Sequence, residues 1–162
     1  MMNTLFITLR ALLYMTGFII LWGWIALGCR RYDQNLGIIL PGWMGILGVV
    51  LMITGGVLVL ACAGAFAVYG RGTPALFDPP RDFVAVGPYK YTRNPVYIGG
   101  VTLLVGFSLY HRSVSMVLFS LLLFLLFHLF VVFIEEPGLE RRFGKSYRAY
   151  KETTNRWIPK LK

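Results

Sequence analysis

Two short polar clusters interrupt an otherwise apolar chain. The first is Gly87-Pro88-Tyr89-Lys90-Tyr91-Thr92-Arg93-Asn94-Pro95-Val96-Tyr97-Ile98-Gly99; the second is the carboxylate pair Glu135-Glu136, followed later by Arg156. A carboxylate accepts hydrogen bonds from an ammonium or from ribose hydroxyls, and an arginine can fork to a carboxylate. Tyrosine faces can stack a base or favour a cation. Brought together, Arg93, Asn94, Tyr89, Tyr97, Glu135, Glu136 and Arg156 suit a zwitterionic ligand. The same residues admit a plainer reading: Glu135 and Glu136 solvated or paired with the nearby Arg141 and Arg142, and Arg-Asn-Pro as an anchor at a membrane edge.

The chain has to fold so that these clusters meet. Hydrophobic residues make up 57% of the 162 and mean hydropathy is +0.66, above the ~45–50% apolar share of a soluble domain. The charges sit in short blocks between long apolar runs, the pattern of an integral membrane protein. We expect an all-α membrane helical bundle of about four spans, forming a single domain over residues 1–162. The runs fall at residues 4–27, 43–69, 96–110 and 114–134. The third reaches only ~22 Å against a ~30 Å hydrocarbon core, so it either distorts the bilayer or lies deep within the protein. With the fourth run it forms a helical hairpin turning at His111-Arg112-Ser113, which returns Glu135 towards Asn94.

Several segments are set by local signals. Glycines at 45, 48, 55, 56 and 64 suit close helix packing in the second run. The connection over residues 70–94 holds Pro74, Pro79 and Pro80 and reads as extended. Glu135-Glu136-Pro137-Gly138 reads as a break after the fourth run. An amphipathic helix over 139–152 follows, with Leu139, Phe143, Tyr147 and Tyr150 on one face and cations on the other, able to lie on an anionic membrane surface. His128 lies seven residues before Glu135 on the same face and suits a helix-to-helix hydrogen bond or a functional role.

The net charge of +9 does not call for nucleic acid, because the cations flank apolar spans. Four spans put every Lys and Arg except Arg30, Arg31 and Arg112 on one side. Both termini, the central loop and the basic helix are therefore expected in the cytoplasm, with the protein in an inner or cytoplasmic membrane. Cys29 and Cys62 form no metal-ligand pattern, no metal is expected, and Cys62 reads as a small packing residue. Ala26-Leu27-Gly28-Cys29 loosely matches a lipoprotein cleavage box, but the apolar run before it is long and weakly charged at its start.

The Gly87–Gly99 loop, with Glu135-Glu136-x-x-Leu139-x-x-x-Phe143-Gly144-x-x-Tyr147-x-x-Tyr150 and the terminal Arg156-x-x-Pro159, resembles the isoprenylcysteine carboxyl methyltransferase family. Phospholipid N-methyltransferases are similar in the same region. The resemblance runs from near Arg81 to Pro159; the first two spans add only hydrophobicity. It implies a helical membrane enzyme that uses S-adenosylmethionine without a Rossmann domain, with residues 70–162 as the cofactor-binding and catalytic region. It also implies that Phe83, Val84, Tyr89, Asn94, Pro95, Val96, Tyr97 and Glu135 hold the cofactor, with Glu136 beside them. Arg93-Asn94-Pro95 follows the bacterial relatives rather than the eukaryotic Arg-His-Pro. The position of the eukaryotic substrate arginine, one turn before the key glutamate, is Val131.

The expected activity is methyl transfer from S-adenosylmethionine to an amphiphilic acceptor entering from the lipid, such as carboxylate O-methylation of a prenylcysteine-like or other lipophilic substrate. Glu135 is expected to anchor the cofactor, and Arg93 and Arg156 to hold an anionic group or shape a closed tail. The alternatives are phospholipid or lipid-amine N-methylation, a nicotinamide-dependent sterol-type reductase, and a non-catalytic membrane scaffold.

Overall fold

The computed structural model describes residues 4–70 and 83–159. The part of the long connection at 71–82, with its three prolines, lies outside the described residues. The described secondary structure is helical: α1 (Thr4–Cys29), the one-turn α2 (Asp33–Leu36), α3 (Met44–Ala65), α4 (Pro95–Tyr110), α5 (Val114–Phe130), α6 (Glu136–Phe143) and α7 (Lys145–Thr153). Three helical stretches, Leu12–Leu36, Met44–Tyr69 and Val114–Phe143, are long and apolar enough to cross a membrane, and Pro95–Tyr110 is a shorter apolar helix. This is a membrane helical bundle: among the described residues three long apolar helices are joined by the shorter α4, as the short third run implied. Leu121, Leu122, Leu125, Leu126 and Phe133 point outward from the last span. In a bilayer such a face is solvated by acyl chains and needs no protein partner.

The short α4 lies deep within the protein because glycine lets α3 approach it backbone to backbone. A Cβ on Gly48 would sit 2.6 Å from the Gly106 carbonyl oxygen, and one on Gly55 would sit 2.5 Å from that of Gly99. Both contacts fall in one antiparallel register, seven residues apart on each helix. Between apolar helices in lipid, such close van der Waals packing replaces the hydrophobic drive that water would supply. On its other side α4 is bonded to α5 through the buried pair Ser108 and Ser120, whose hydroxyls are 3.2 Å apart. The α4–α5 corner turns through Arg112 at φ 53°.

The start of α5 is capped twice. Ser113 Oγ accepts from the Met116 amide, and Asp33 Oδ1 accepts from the Ser115 amide at 2.9 Å. These bonds satisfy amides that a helix start leaves open. The Asp33 bond also ties the start of α2 to the corner. Along its length, α1 packs on α5 through aromatic rings: Phe18 stacks on Phe127 with centres 5.8 Å apart, and Trp22 meets Phe119 and Phe127.

The expected break at Glu135-Glu136-Pro137-Gly138 does not occur. The chain stays helical from α5 into α6 through a π-turn at Val131–Glu135. Pro137 stands in the first turn of α6, where its missing amide is tolerated, and a π-turn inserts a residue that re-aims the side chains beyond it. The expected single helix over 139–152 is instead two, because Gly144 takes φ 52° between α6 and α7. The ring face expected on lipid is turned into the protein, where Phe83 packs against Phe143, Tyr147 and Tyr150 with ring centres 5.1–5.9 Å apart.

Candidate active site

Residues 83–94 descend onto the bundle, and the chain makes a 3-10 turn at Gly87–Lys90 opened by Pro88. Pro95 then starts α4, with Asn94 just before it. Proline suits that first helical position because its fixed φ is already helical and its missing amide is not needed. Tyr89 is buried against Phe66 and Cys62; its ring meets that of Phe66 edge to face at 5.2 Å. Cys62 and Cys29 are both free thiols, and Cys62 fills the packing role expected of it.

The loop is held down by the chain's last segment. Thr92 Oγ1 donates to the Arg156 carbonyl at 2.8 Å, the Asn94 side chain donates to the same oxygen at 3.2 Å, and the Arg93 amide donates to the Asn155 carbonyl at 2.9 Å. Tyr150 donates to the Tyr89 carbonyl at 2.6 Å. Loop and tail thus satisfy each other's backbone groups, as buried polar groups require. His128 finds its partner in the tail, accepting at Nδ1 from the Trp157 indole at 2.9 Å.

Glu136 is the centre of this clasp. Arg93 donates to its Oε1 through Nε (3.1 Å) and Nη2 (2.8 Å), and Arg156 forks across Oε1 (2.9 Å) and Oε2 (2.8 Å). The carboxylate is buried, at 4% exposure. Arg93 also donates to the carbonyls of Lys151 and Thr154 at the end of α7, where the helix presents negative partial charge. Bonding to Glu136 raises the pKa of Arg156 further. Arg141 and Arg142, the partners the plainer reading supplied, take no part.

Glu135, one residue earlier, is held differently. Its Oε2 accepts from the Tyr97 hydroxyl at 2.7 Å, and among the described residues no Lys or Arg pairs with it. It faces a chamber of about 370 Å³ between the loop, the start of α4 and the π-turn region, within the ~300–1,000 Å³ range of small-molecule sites. Phe83, Val84, Tyr89, Arg93, Asn94, Val96, Tyr97, Glu135 and Glu136 all line it. Pro95 and Arg156 do not: Pro95 is fully buried in the α4 start and Arg156 stands behind Glu136. Phe66, Leu139, Arg141, Arg142, Tyr147 and Tyr150 also line the chamber. The periodic ring face was visible in the sequence, but its partner surface was not. Burial pushes the Tyr89, Tyr147 and Tyr150 phenols well above their ordinary range, so they stay neutral donors.

The sequence pattern of phospholipid methyltransferases matches residues 43–146, more than half of the chain. The chain belongs to the phospholipid methyltransferase family. It is a membrane methyltransferase by that membership, and its apolar helices make it an integral membrane protein. The family match begins at Trp43 and takes in α3, whereas the motifs that carry the resemblance begin near Arg81. Within the matched stretch, Gly48 and Gly55 of α3 are the surface on which α4, and so the loop before it, is seated. No curated protein matches the chain. Among the described residues no group of three His, Cys, Asp or Glu side chains is placed to hold a metal ion.

Proposed function

We propose that this methyltransferase transfers a methyl group from S-adenosylmethionine to the amine of a phospholipid or related amphiphile reached from the bilayer. The observation that carries the reading is Glu135: a carboxylate without a cationic partner among the described residues, fixed by Tyr97, in a chamber walled by aromatic rings. The Glu135 end of such a site favours the cationic part of a guest, through the charge and through the ring faces. The fit of S-adenosylmethionine rests on this donor and acceptor set. Glu135 can accept from its ammonium or ribose hydroxyls, Phe83 and Tyr89 offer faces to its purine, and the chamber has room for a drug-sized ligand.

When bound, that cofactor would supply an electrophilic methyl group to a neutral acceptor amine, with the amine's proton released to water. The chain's own part is positioning and exclusion of water. Tyr97 holds Glu135 from one side, and the clasp of Arg93, Arg156 and Glu136 holds the loop and the tail together behind the chamber. An amine acceptor is favoured over a lipid carboxylate by Val131. This residue is apolar and fully buried where an anion-binding arginine would stand in the carboxyl-methylating relatives. The preferred topology keeps the chamber, both termini and the exposed cations of α6 and α7 on the cytoplasmic face of an inner membrane.

Titration calorimetry with S-adenosylhomocysteine on the detergent-solubilised protein tests the cofactor, with NADPH as the control for a reductase. Transfer of labelled methyl to phosphatidylethanolamine, compared with a farnesylated cysteine, tests the acceptor. Micromolar binding of S-adenosylhomocysteine alone and labelling of the phospholipid are the expected results. Binding of NADPH alone, or of neither ligand, overturns the reading, and labelling of the farnesylated cysteine alone replaces the amine with a carboxylate.

A further inference from the structure

Among the described residues four arginines bear on the chamber, and the fold treats them as two unlike pairs. Arg93 and Arg156 are committed to Glu136 and to backbone carbonyls. Their charge is already answered inside the protein, so moving either to a ligand would leave Glu136 buried and short of a partner. Arg141 and Arg142 line the chamber, are exposed, and among the described residues make no ion pair. The nearest acid in sequence, Glu140, is taken by Arg148 and Lys151. Among the described residues Arg142 keeps a ring contact, its guanidinium 5.3 Å from the Phe143 ring centre.

The helical register gives these free cations a direction. Glu135, Leu139 and Arg142 all line the chamber at spacings of four and three residues, so they form one stripe. Glu135 and Arg142 are then about 10 Å apart along the axis, a gap that two flexible side chains can narrow around a small ligand. The chamber has a carboxylate at one end of this stripe and unpaired guanidinium groups at the other.

We infer that Arg141 and Arg142 are the anion-binding residues of this chamber, holding the carboxylate or phosphate of a zwitterionic ligand whose cationic end faces Glu135. This assigns the anion to a different pair from the Arg93 and Arg156 suggested by the sequence, and it rests on the proposed methyltransferase reading. Two ligands carry such a group: the amino-acid carboxylate of the cofactor, and the phosphate of a phospholipid acceptor.

The test uses the full chain in detergent and the double variant Arg141→Gln/Arg142→Gln. Lys145→Gln serves as the control, because Lys145 is an exposed cation nearby that does not line the chamber. Calorimetric probes are S-adenosylhomocysteine, 5′-methylthioadenosine (which lacks the amino-acid carboxylate), short-chain phosphatidylethanolamine, and dodecylamine (which lacks the phosphate). A cofactor carboxylate predicts that the double variant weakens S-adenosylhomocysteine on the order of 10- to 100-fold and leaves methylthioadenosine unchanged. A lipid phosphate predicts the same loss for phosphatidylethanolamine, none for dodecylamine, and intact S-adenosylhomocysteine binding. A double variant that matches Lys145→Gln on all four probes overturns the inference. A wild-type protein that fails to bind S-adenosylhomocysteine sinks the methyltransferase reading itself.

Discussion

Glu135 and Glu136 are neighbours in sequence with the same side chain at the same helix end, and the protein uses them in opposite ways. Glu136 is closed off, with four charge-assisted hydrogen bonds from two arginines and almost no exposure. Glu135 has, among the described residues, one neutral donor, Tyr97, and looks into the chamber. The π-turn ends between them, and adjacent positions on a helix point about 100° apart. One face of the turn therefore meets the loop and the tail, while the other meets empty space lined by rings. A carboxylate whose charge is fully answered is a structural part, and one whose charge is not is available to a ligand.

Substitutions can break this comparison. The largest binding effect is expected at Glu135. Glu135→Gln should weaken S-adenosylhomocysteine by more than about 100-fold, as expected for losing a charged partner, while the thermal midpoint in detergent stays near wild type. A large fall in midpoint would show that Glu135 is structural after all. Glu136→Gln should do the reverse. It leaves two arginines short of a buried partner, so a destabilisation of about 3–5 kcal/mol is expected, read as a lowered midpoint and faster proteolysis of the tail. Normal stability with lost ligand binding would reverse the assignment.

Smaller changes sharpen it. Arg156→Gln keeps the Arg93 half of the clasp and should cost about 1.5–3 kcal/mol, less than loss of Glu136. Tyr97→Phe should weaken S-adenosylhomocysteine by about 5- to 10-fold without moving the midpoint, in line with loss of one hydrogen bond that orients a charge. A double-mutant cycle with Glu135→Gln should show the two effects to be non-additive. The least effect is expected from Tyr150→Phe, about 1 kcal/mol for its bond to the Tyr89 carbonyl. The buried phenols Tyr89, Tyr147 and Tyr150 have raised pKa values, so their contribution is full below about pH 10, the unfolded value. It is lost as the pH climbs beyond that, because the unfolded chain ionises first. Midpoints measured from pH 7 to 11 should be flat and then fall.

Much of this was legible in the chain because its causes are local. The apolar runs, the corner at His111-Arg112-Ser113 and the start of α4 at Pro95 each follow from a few consecutive residues. The cluster of Tyr89, Asn94, Tyr97 and Glu135 followed from motif order and from a hairpin that returns to its starting side. The expected failures were local rules overridden by neighbours. Pro137 and Gly138 signal a break, but the π-turn absorbs them. A continuous amphipathic pattern runs over 139–152, but Gly144 folds it in two so that its rings can cover Phe83.

The sequence by itself determined a helical membrane protein, its family, and the set of polar side chains from which any site must be made. Hydrophobic runs and motifs are properties of short stretches and survive without the fold. Which arginine answers which glutamate was decided only by the tertiary structure. Ion pairing depends on distance, and Arg93, Glu136 and Arg156 lie 43 and 20 residues apart along the chain. Until α3 seats α4, α4 brings the loop to α6, and the tail crosses behind them, Glu135 and Glu136 are chemically the same residue. Packing gives one of them two cations and leaves the other facing the chamber.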